Sequence, residues 1–273
     1  MPRHKVMEMF RQCIAFVILF HHTIQTGGLS TRFYKWLRDV VCWNTMATLK
    51  VTVGVSDLRA EPKFRSERVD QVVFGEKVRV VDEGKDDYVH VIAPDGYDAF
   101  LSRFGLGRAD GAPAYKIIRT WKGGDMLLPI GSLLTAGDIR RLDIAQKFYR
   151  RESYSLDKIE FAKQYLGVPY LWGGVTELGI DCSGLAQRVF GFNGIRLPRN
   201  ADMQEKLGSA VGSLREAEPG DLIFFPGHVG IHMGGGRLIH ANLHNQRVSI
   251  TDLNGRDSYA RRLKRDITSI KRI

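Results

Sequence analysis

Three residues of this chain could together perform nucleophilic catalysis: Cys182 in the string DCSGL, His228 in GHVGI and His240 in LIHAN. A thiol attacks a carbonyl as its thiolate, so it needs a base in reach and a third group to orient that base. Asp181-Cys182-Ser183-Gly184 reads as a helix start. Asp181 is a good N-cap, and Leu185, Val189 and Phe192 follow at helical spacing. Cys182 then falls in the first turn, where the positive end of the helix dipole favours the thiolate.

The histidines require a sheet. Residues 221–226 (DLIFFP), 228–233 (HVGIHM) and 237–242 (RLIHAN) read as strands, and Gly234, Gly235 and Gly236 mark a hairpin between the last two. A three-residue loop from Met233 to Gly235 sets His228 opposite His240. A loop from Gly234 to Gly236 sets it opposite Asn242, with His240 its diagonal neighbour. Side chains alternate with period two, so both registers keep the two imidazoles on one face, whereas a two-residue loop splits them. On a shared face one histidine can act as base while the other holds its ring. The competing readings are a small buried cysteine, a satisfied core histidine, and a Cys/His/His zinc site. No C-x-x-C or H-x-x-x-H pair supports zinc. The expectation is catalysis with no metal and no cofactor.

The strings GVPYLWGG (167–174), DCSGL (181–185), LPRNADMQ (197–204), EPGDLIFF (218–225), GHVGIHM (227–233) and LIHA (238–241) resemble, in order, the motifs of NlpC-type cysteine peptidases, papain-like enzymes that cut bacterial cell-wall peptides. The resemblance implies Cys182 as nucleophile, His228 as general base and His240 as the orienting residue. It further implies that the Tyr170 hydroxyl joins the Cys182 backbone N–H in binding the oxyanion, and that Trp172, Asp181 and Ser183 line the substrate site. Residues 51–101, with their DLRAEP and DGYDAF strings, form a meander of short β-runs. They are similar to the first bacterial SH3-like domain of the branch that cuts γ-D-glutamyl-L-diamino acid bonds. Residues 115–135 resemble a truncated second one. The likeness assigns Glu61 to the free N-terminal amine of the substrate and Tyr97 to the wall of that pocket. Where the branch has a second acid, this chain has Asn200. An amide carries no charge, and a charge-assisted bond is roughly twice as strong as a neutral one. A looser requirement for a free N-terminal L-Ala is therefore expected.

The implied fold is α+β: small all-β SH3-like barrel modules followed by a papain-like catalytic domain with a central antiparallel sheet. The divisions are an N-terminal extension (1–45), an SH3-like domain (46–110), a truncated SH3-like segment and linker (111–150), the catalytic domain (151–255) and a basic C-terminal tail (256–273). Of the formal charge of +10, +4 lies in residues 1–45 and +5 in 256–273, so the folded body is nearly neutral. The RRLKR run (261–265) reads as a solvated tail, and no phosphate loop or nucleic-acid motif stands out. Cys13 and Cys42 lie in the extension, and nothing calls for a disulfide. CIAFVILF (13–20) is far shorter than the roughly 20 apolar residues of a spanning helix. It has the length of a signal-peptide core but no A-x-A site follows, and residues 33–43 read as an amphipathic helix. An over-extended start ahead of Met46 is preferred, giving a cytoplasmic enzyme that recycles wall fragments. Export through residues 1–30 is the alternative. The partner is a small murein-derived peptide, with no nucleic acid and no stable membrane span. The expected activity is that of a cysteine peptidase cutting after γ-D-Glu. The rivals are a papain-like amidase or acyltransferase and an inactive SH3-like peptide-binding protein.

Overall fold

In the computed structural model, residues 47–273 are described, apart from 83, 85 and 86. The signal-like and amphipathic readings of residues 1–45 lie outside the described residues.

Alternating apolar positions in short runs build the first module as seven strands: β1 (Thr48–Val51), β2 (Val55–Arg59), β3 (Arg68–Val73), β4 (Lys77–Asp82), β5 (Tyr88–Ile92), β6 (Asp98–Ser102) and β7 (Leu106–Arg108). They pair antiparallel in the order β3-β2-β6-β5-β4-β1-β7. Val51, Leu58, Val78, Val91 and Leu101 form the core. The middle segment has its own core of Ile117, Trp121, Leu128 and Leu134, to which Phe74 is added from beyond β3. Its strands are β8 (Tyr115–Ile117), β9 (Trp121–Gly123), β10 (Met126–Leu128), β11 (Leu133–Leu134) and β12 (Tyr149–Arg151), with α1 (Ala136–Leu142) between the last two. They divide into a β10-β9 pair and a β11-β8-β12 sheet.

The third region opens with α2 (Lys158–Lys163) and the hairpin β13 (Val175–Thr176) and β14 (Gly179–Ile180), which leads into α3 (Cys182–Phe192). After the short helix α4 (Ala201–Gln204) come β15 (Ser209–Ala210), β16 (Leu222–Phe225), β17 (His228–Gly234), β18 (Arg237–Asn242), β19 (Arg247–Asp252), α5 (Ser258–Arg265) and β20 (Ser269–Arg272). The six strands form one antiparallel sheet in the order β15-β20-β16-β17-β18-β19. Leu185, Val189 and Phe192 of α3 share a core with Phe224, Val229, Ile231 and Ile239 of the sheet.

The solvated C-terminal tail is a misreading. Residues 256–273 are part of the catalytic fold: β20 lies inside the sheet between β15 and β16. Ala260 and Leu263 of α5 are buried, as is Ile270 of β20. The charge run is the outer face of an amphipathic element, and Arg272 is held by Asp221 at 2.8 and 2.9 Å. No helix of the described residues is long and apolar enough to cross a membrane.

Candidate active site

Cys182 opens α3, and Asp181 is its N-cap, accepting from the Gly184 N–H at 2.7 Å. The thiol is almost fully buried, with the Val229 and Ser183 backbone N–H groups directed at it. The Val229 N–H brings the strand that carries His228 up against the nucleophile. The first-turn position does not make this a ready thiolate. Burial pushes the thiol up to about 11, Asp181 adds in the same direction, and the two N–H groups and Arg199 only partly offset them.

The histidine side depends on the turn. Gly234 pairs with Arg237, so the loop is only Gly235-Gly236, both with positive φ (62° and 77°). Such a two-residue turn favours glycine at both positions, and alone it would split the histidines. Between His232 and Gly234 the ladder slips by one residue, so Ile231 pairs with Ile239. This bulge at Met233 adds back one residue and restores the shared face. Carried along the strands, the register sets His228 against Asn242 with His240 diagonal to it. His228 Nε2 lies 2.8 Å from His240 Nδ1, and His240 Nε2 lies 3.0 Å from Thr251 Oγ1 on β19.

That chain admits two proton arrangements, and only one of them leaves His228 Nδ1 free to act as a base. His228 can accept a proton at Nδ1 only if Nε2 carries one, which it donates to His240 Nδ1. His240 then carries its proton on Nε2 and donates to Thr251. Burial drives both imidazoles to the neutral form: His228 is lowered to about 4 and His240 to about 3. Tyr259, from the segment read as a tail, stacks on His240 with centroids 6.3 Å apart and on His244 at 4.0 Å.

A buried charge cluster holds the cap. Arg199 Nη1 donates to Asp181 Oδ1 at 3.0 Å and to Ser183 Oγ at 2.8 Å, and Nη2 donates to Asp181 Oδ2. Arg199 Nε lies 2.7 Å from Asp70 Oδ1 of β3, close enough for an ion pair but not aligned as a hydrogen bond. The Gly173 N–H also donates to Asp181, at 2.8 Å. Gly173 has φ +73°, and a Cβ there would come within 2.6 Å of the Arg68 carbonyl oxygen, so only glycine lets β3 approach this closely. The Val175 N–H donates to Gln71 Oε1 at 3.1 Å, and Trp172 Nε1 to Glu67 Oε1 at 2.7 Å. The SH3-like module thus rests directly on the segment that presents Cys182.

The substrate-side residues fall into two groups. Asp181 and Ser183 are buried, and their side-chain oxygens serve the Arg199 cluster. Tyr170 is half-buried, and its phenol is raised by burial, then by Cys182 and Asp181, which keeps it a proton donor. Trp172 is 60% exposed. Asn200 is exposed at the start of α4 and makes no side-chain cap bond. Glu61 is exposed and paired with Lys63 at 2.5 Å. Tyr97 is half-buried against the SH3-like core, and Asp95 ties its turn to Gln187 of α3, accepting from the Tyr97 N–H at 3.0 Å and from Gln187 at 2.8 Å. Sequence reasoning missed Asp70, Arg199, Thr251 and Tyr259. The arginine directly after Leu197 and Pro198 was the available sign that a carboxylate partner lies buried nearby. Among the described residues, no group of three His, Cys, Asp or Glu side chains is arranged to hold a metal. A cavity of about 550 Å³ is lined by Gln187, Arg188 and Phe192 at the other end of α3, and does not include Cys182 or the two histidines.

A cysteine at a helix start, set against an antiparallel sheet that presents two hydrogen-bonded histidines, defines a papain-like α+β domain. Comparison with known proteins gives two domain matches: residues 167–265 match the NlpC/P60 family and residues 54–104 the bacterial SH3 domain. The chain carries an NlpC/P60 domain preceded by a bacterial SH3 domain. It is 27% identical over 263 residues to the dipeptidyl-peptidase 6 of Lysinibacillus sphaericus, covering 81% of this chain and 97% of that one. It is 29% identical over 226 residues to the γ-D-glutamyl-L-lysine dipeptidyl-peptidase of Bacillus subtilis, covering 67% and 75%. The crystal structure of an NlpC/P60 family protein from Bacillus cereus shares the fold, with a TM-score of 0.68 at 19% identity over 83% of this chain and 99% of that one.

Proposed function

We propose that this protein is a cysteine peptidase that hydrolyses murein-derived peptides at the γ-D-glutamyl-L-diamino acid bond. The observation that carries the reading is the hydrogen-bonded chain from Thr251 through His240 to His228, on the strand whose Val229 N–H points at the buried Cys182 thiol; with its Nε2 proton given to His240, His228 Nδ1 is left as a neutral base. In the reaction His228 takes the Cys182 proton as sulfur attacks the carbonyl carbon. The oxyanion is bound by the Cys182 N–H and the Tyr170 hydroxyl. Protonated His228 gives its proton to the departing amine as the C–N bond breaks and the thioester remains. Water, deprotonated by the same imidazole, then releases the acid. His240 holds the ring of His228 throughout. Two relatives bear dipeptidyl-peptidase names, one specifying γ-D-glutamyl-L-lysine, and this supports the choice of bond. Glu61, Tyr97 and Asn200 are assigned to the end of the groove that receives the substrate's N-terminus. The test is mass spectrometry of products from a panel of wall peptides, with and without a free N-terminal L-Ala. Cleavage confined to the bond after γ-D-Glu is expected. Transfer of the acyl group to an added amine in place of hydrolysis would favour the acyltransferase rival, and no turnover of any peptide would sink the reading.

A further inference from the structure

The SH3-like module buries a carboxylate whose counter-charge lies in the catalytic module. Asp70 on β3 is 4% exposed, and the cation nearest to it is Arg199 of the catalytic module, itself 2% exposed. Burying such a pair is costly, and neutral residues of similar volume often pack at least as well. The arrangement around Arg199 shows what the carboxylate can act upon. One guanidinium serves two carboxylates, Asp70 through Nε and Asp181 through Nη1 and Nη2. Asp181 caps the nucleophile's helix and opposes ionisation of Cys182, while Arg199 favours it. Any change in how Arg199 is shared therefore reaches the thiol.

We propose that Asp70 is a positioning residue of the active site: it sets the net charge of the Arg199–Asp181 pair at the nucleophile's cap, so that a module outside the catalytic domain governs how readily Cys182 ionises. With both carboxylates charged the cluster carries one net negative charge, and neutralising Asp70 leaves Arg199 to compensate Asp181 fully. Burial raises the Asp70 carboxyl to about 7, against the pull of Arg199 and, more weakly, of Arg188, and with Asp95 adding to the rise. The cluster therefore changes charge near neutral pH. The inference rests on Cys182 being the nucleophile, but its consequence appears in the thiol itself and needs no substrate.

The experiment is alkylation of the full-length chain by iodoacetamide across a pH series. Peptide mapping reads Cys182, with rates normalised to Cys13 and Cys42 in the same digest. Asp70→Asn, nearly isosteric but uncharged, should speed Cys182 alkylation at pH 8 by about threefold or more, a fall of about half a unit in the thiol's ionisation. Asp70→Glu, which keeps the charge, should stay within about twofold of wild type. If the Asp70→Asn rate equals that of wild type in a protein with an unchanged circular dichroism spectrum, Asp70 is only a docking contact and the proposal is overturned. Equal shifts in both variants overturn it too, since packing and not charge would then be the cause. Should Asp70→Asn not fold, the wild-type profile decides. Its rise with pH should flatten across about pH 7 as Asp70 ionises, and an unbroken rise toward about 11 would count against the idea. A wild type that alkylates normally at Cys182 yet cuts no wall peptide would overturn the peptidase reading and leave this result standing.

Discussion

The two halves of the active site are held by opposite kinds of interaction. Cys182 is placed by charge: a cap carboxylate, a buried guanidinium and a second carboxylate contributed by another module. The histidines are placed by backbone register and by neutral hydrogen bonds, from His228 to His240 to Thr251. The difference teaches where each half is vulnerable. A buried charge cluster fails when its cation is removed, because the two carboxylates are left uncompensated, at a cost of roughly 3–5 kcal/mol. A neutral hydrogen bond contributes only about 1 kcal/mol net, but a one-residue change in its hairpin would turn a histidine to the wrong face.

The largest effect separates chemistry from placement altogether. Cys182→Ser leaves the cap and the relay in position but replaces the thiol with a hydroxyl that is far harder to ionise. Turnover of a wall peptide should fall on the order of 10⁴-fold or more, with the thermal midpoint unchanged within a few degrees. Residual activity near wild type would mean that Cys182 is not the nucleophile.

Next in size is removal of the guanidinium. Arg199→Leu leaves Asp181 and Asp70 buried without a counter-charge, so denaturant unfolding should show a loss of about 3–5 kcal/mol. An equally large loss from Thr251→Val, which removes only a neutral acceptor, would erase the contrast between the two halves.

The same contrast explains what could be read along the chain. The start of α3 was legible because Asp181 and the apolar positions of the helix are adjacent in sequence. The shared face of His228 and His240 was legible from strand periodicity, but the way it arises was not. The glycine run suggested a three-residue loop, whereas a two-residue turn and a bulge at Met233 together give the same parity. A bulge leaves little trace in composition. The pairing of Asp70 with Arg199 joins separate modules, so no local pattern announces it. Residues 256–273 were misread because net charge hid the buried positions Ala260, Leu263 and Ile270.

The histidine side should announce itself in the dependence of stability on pH. Both imidazoles have folded values, about 4 and about 3, below the ordinary 6.5. The unfolded chain therefore binds more protons between those values and 6.5, and stability rises with pH across that window. Each histidine adds at most about 1.4 kcal/mol per pH unit. Asp70 has the opposite sign: its folded value of about 7 exceeds the ordinary 3.8, so its contribution is lost as pH rises through the same range. Urea unfolding at intervals from pH 4 to 7 should give a positive slope in wild type and a steeper one in Asp70→Asn. A slope unchanged by the substitution would show that Asp70 does not titrate in the folded protein.

The smallest effect concerns the rim of the site, where neither mode of placement operates. Asn200 and Glu61 are both exposed, and Glu61 already has Lys63 at 2.5 Å. Exposed ion pairs are worth about 0–1 kcal/mol, so a carboxylate gained here should change specificity modestly and leave turnover alone. Asn200→Asp should raise the ratio of kcat/KM for free-amine over N-acetylated peptides by about two- to fivefold. Glu61→Gln should lower the same ratio, and the change should shrink at high salt because the charges face solvent. A ratio that moves in neither variant would show that the substrate's amine is read elsewhere, or not at all. The lack of a carboxylate at Asn200 would then have no bearing on which peptides the protein accepts. A ratio that moves tenfold or more would mean that bound substrate closes the rim against water, placing the amine site with the buried charges around Arg199 and not with the exposed ones.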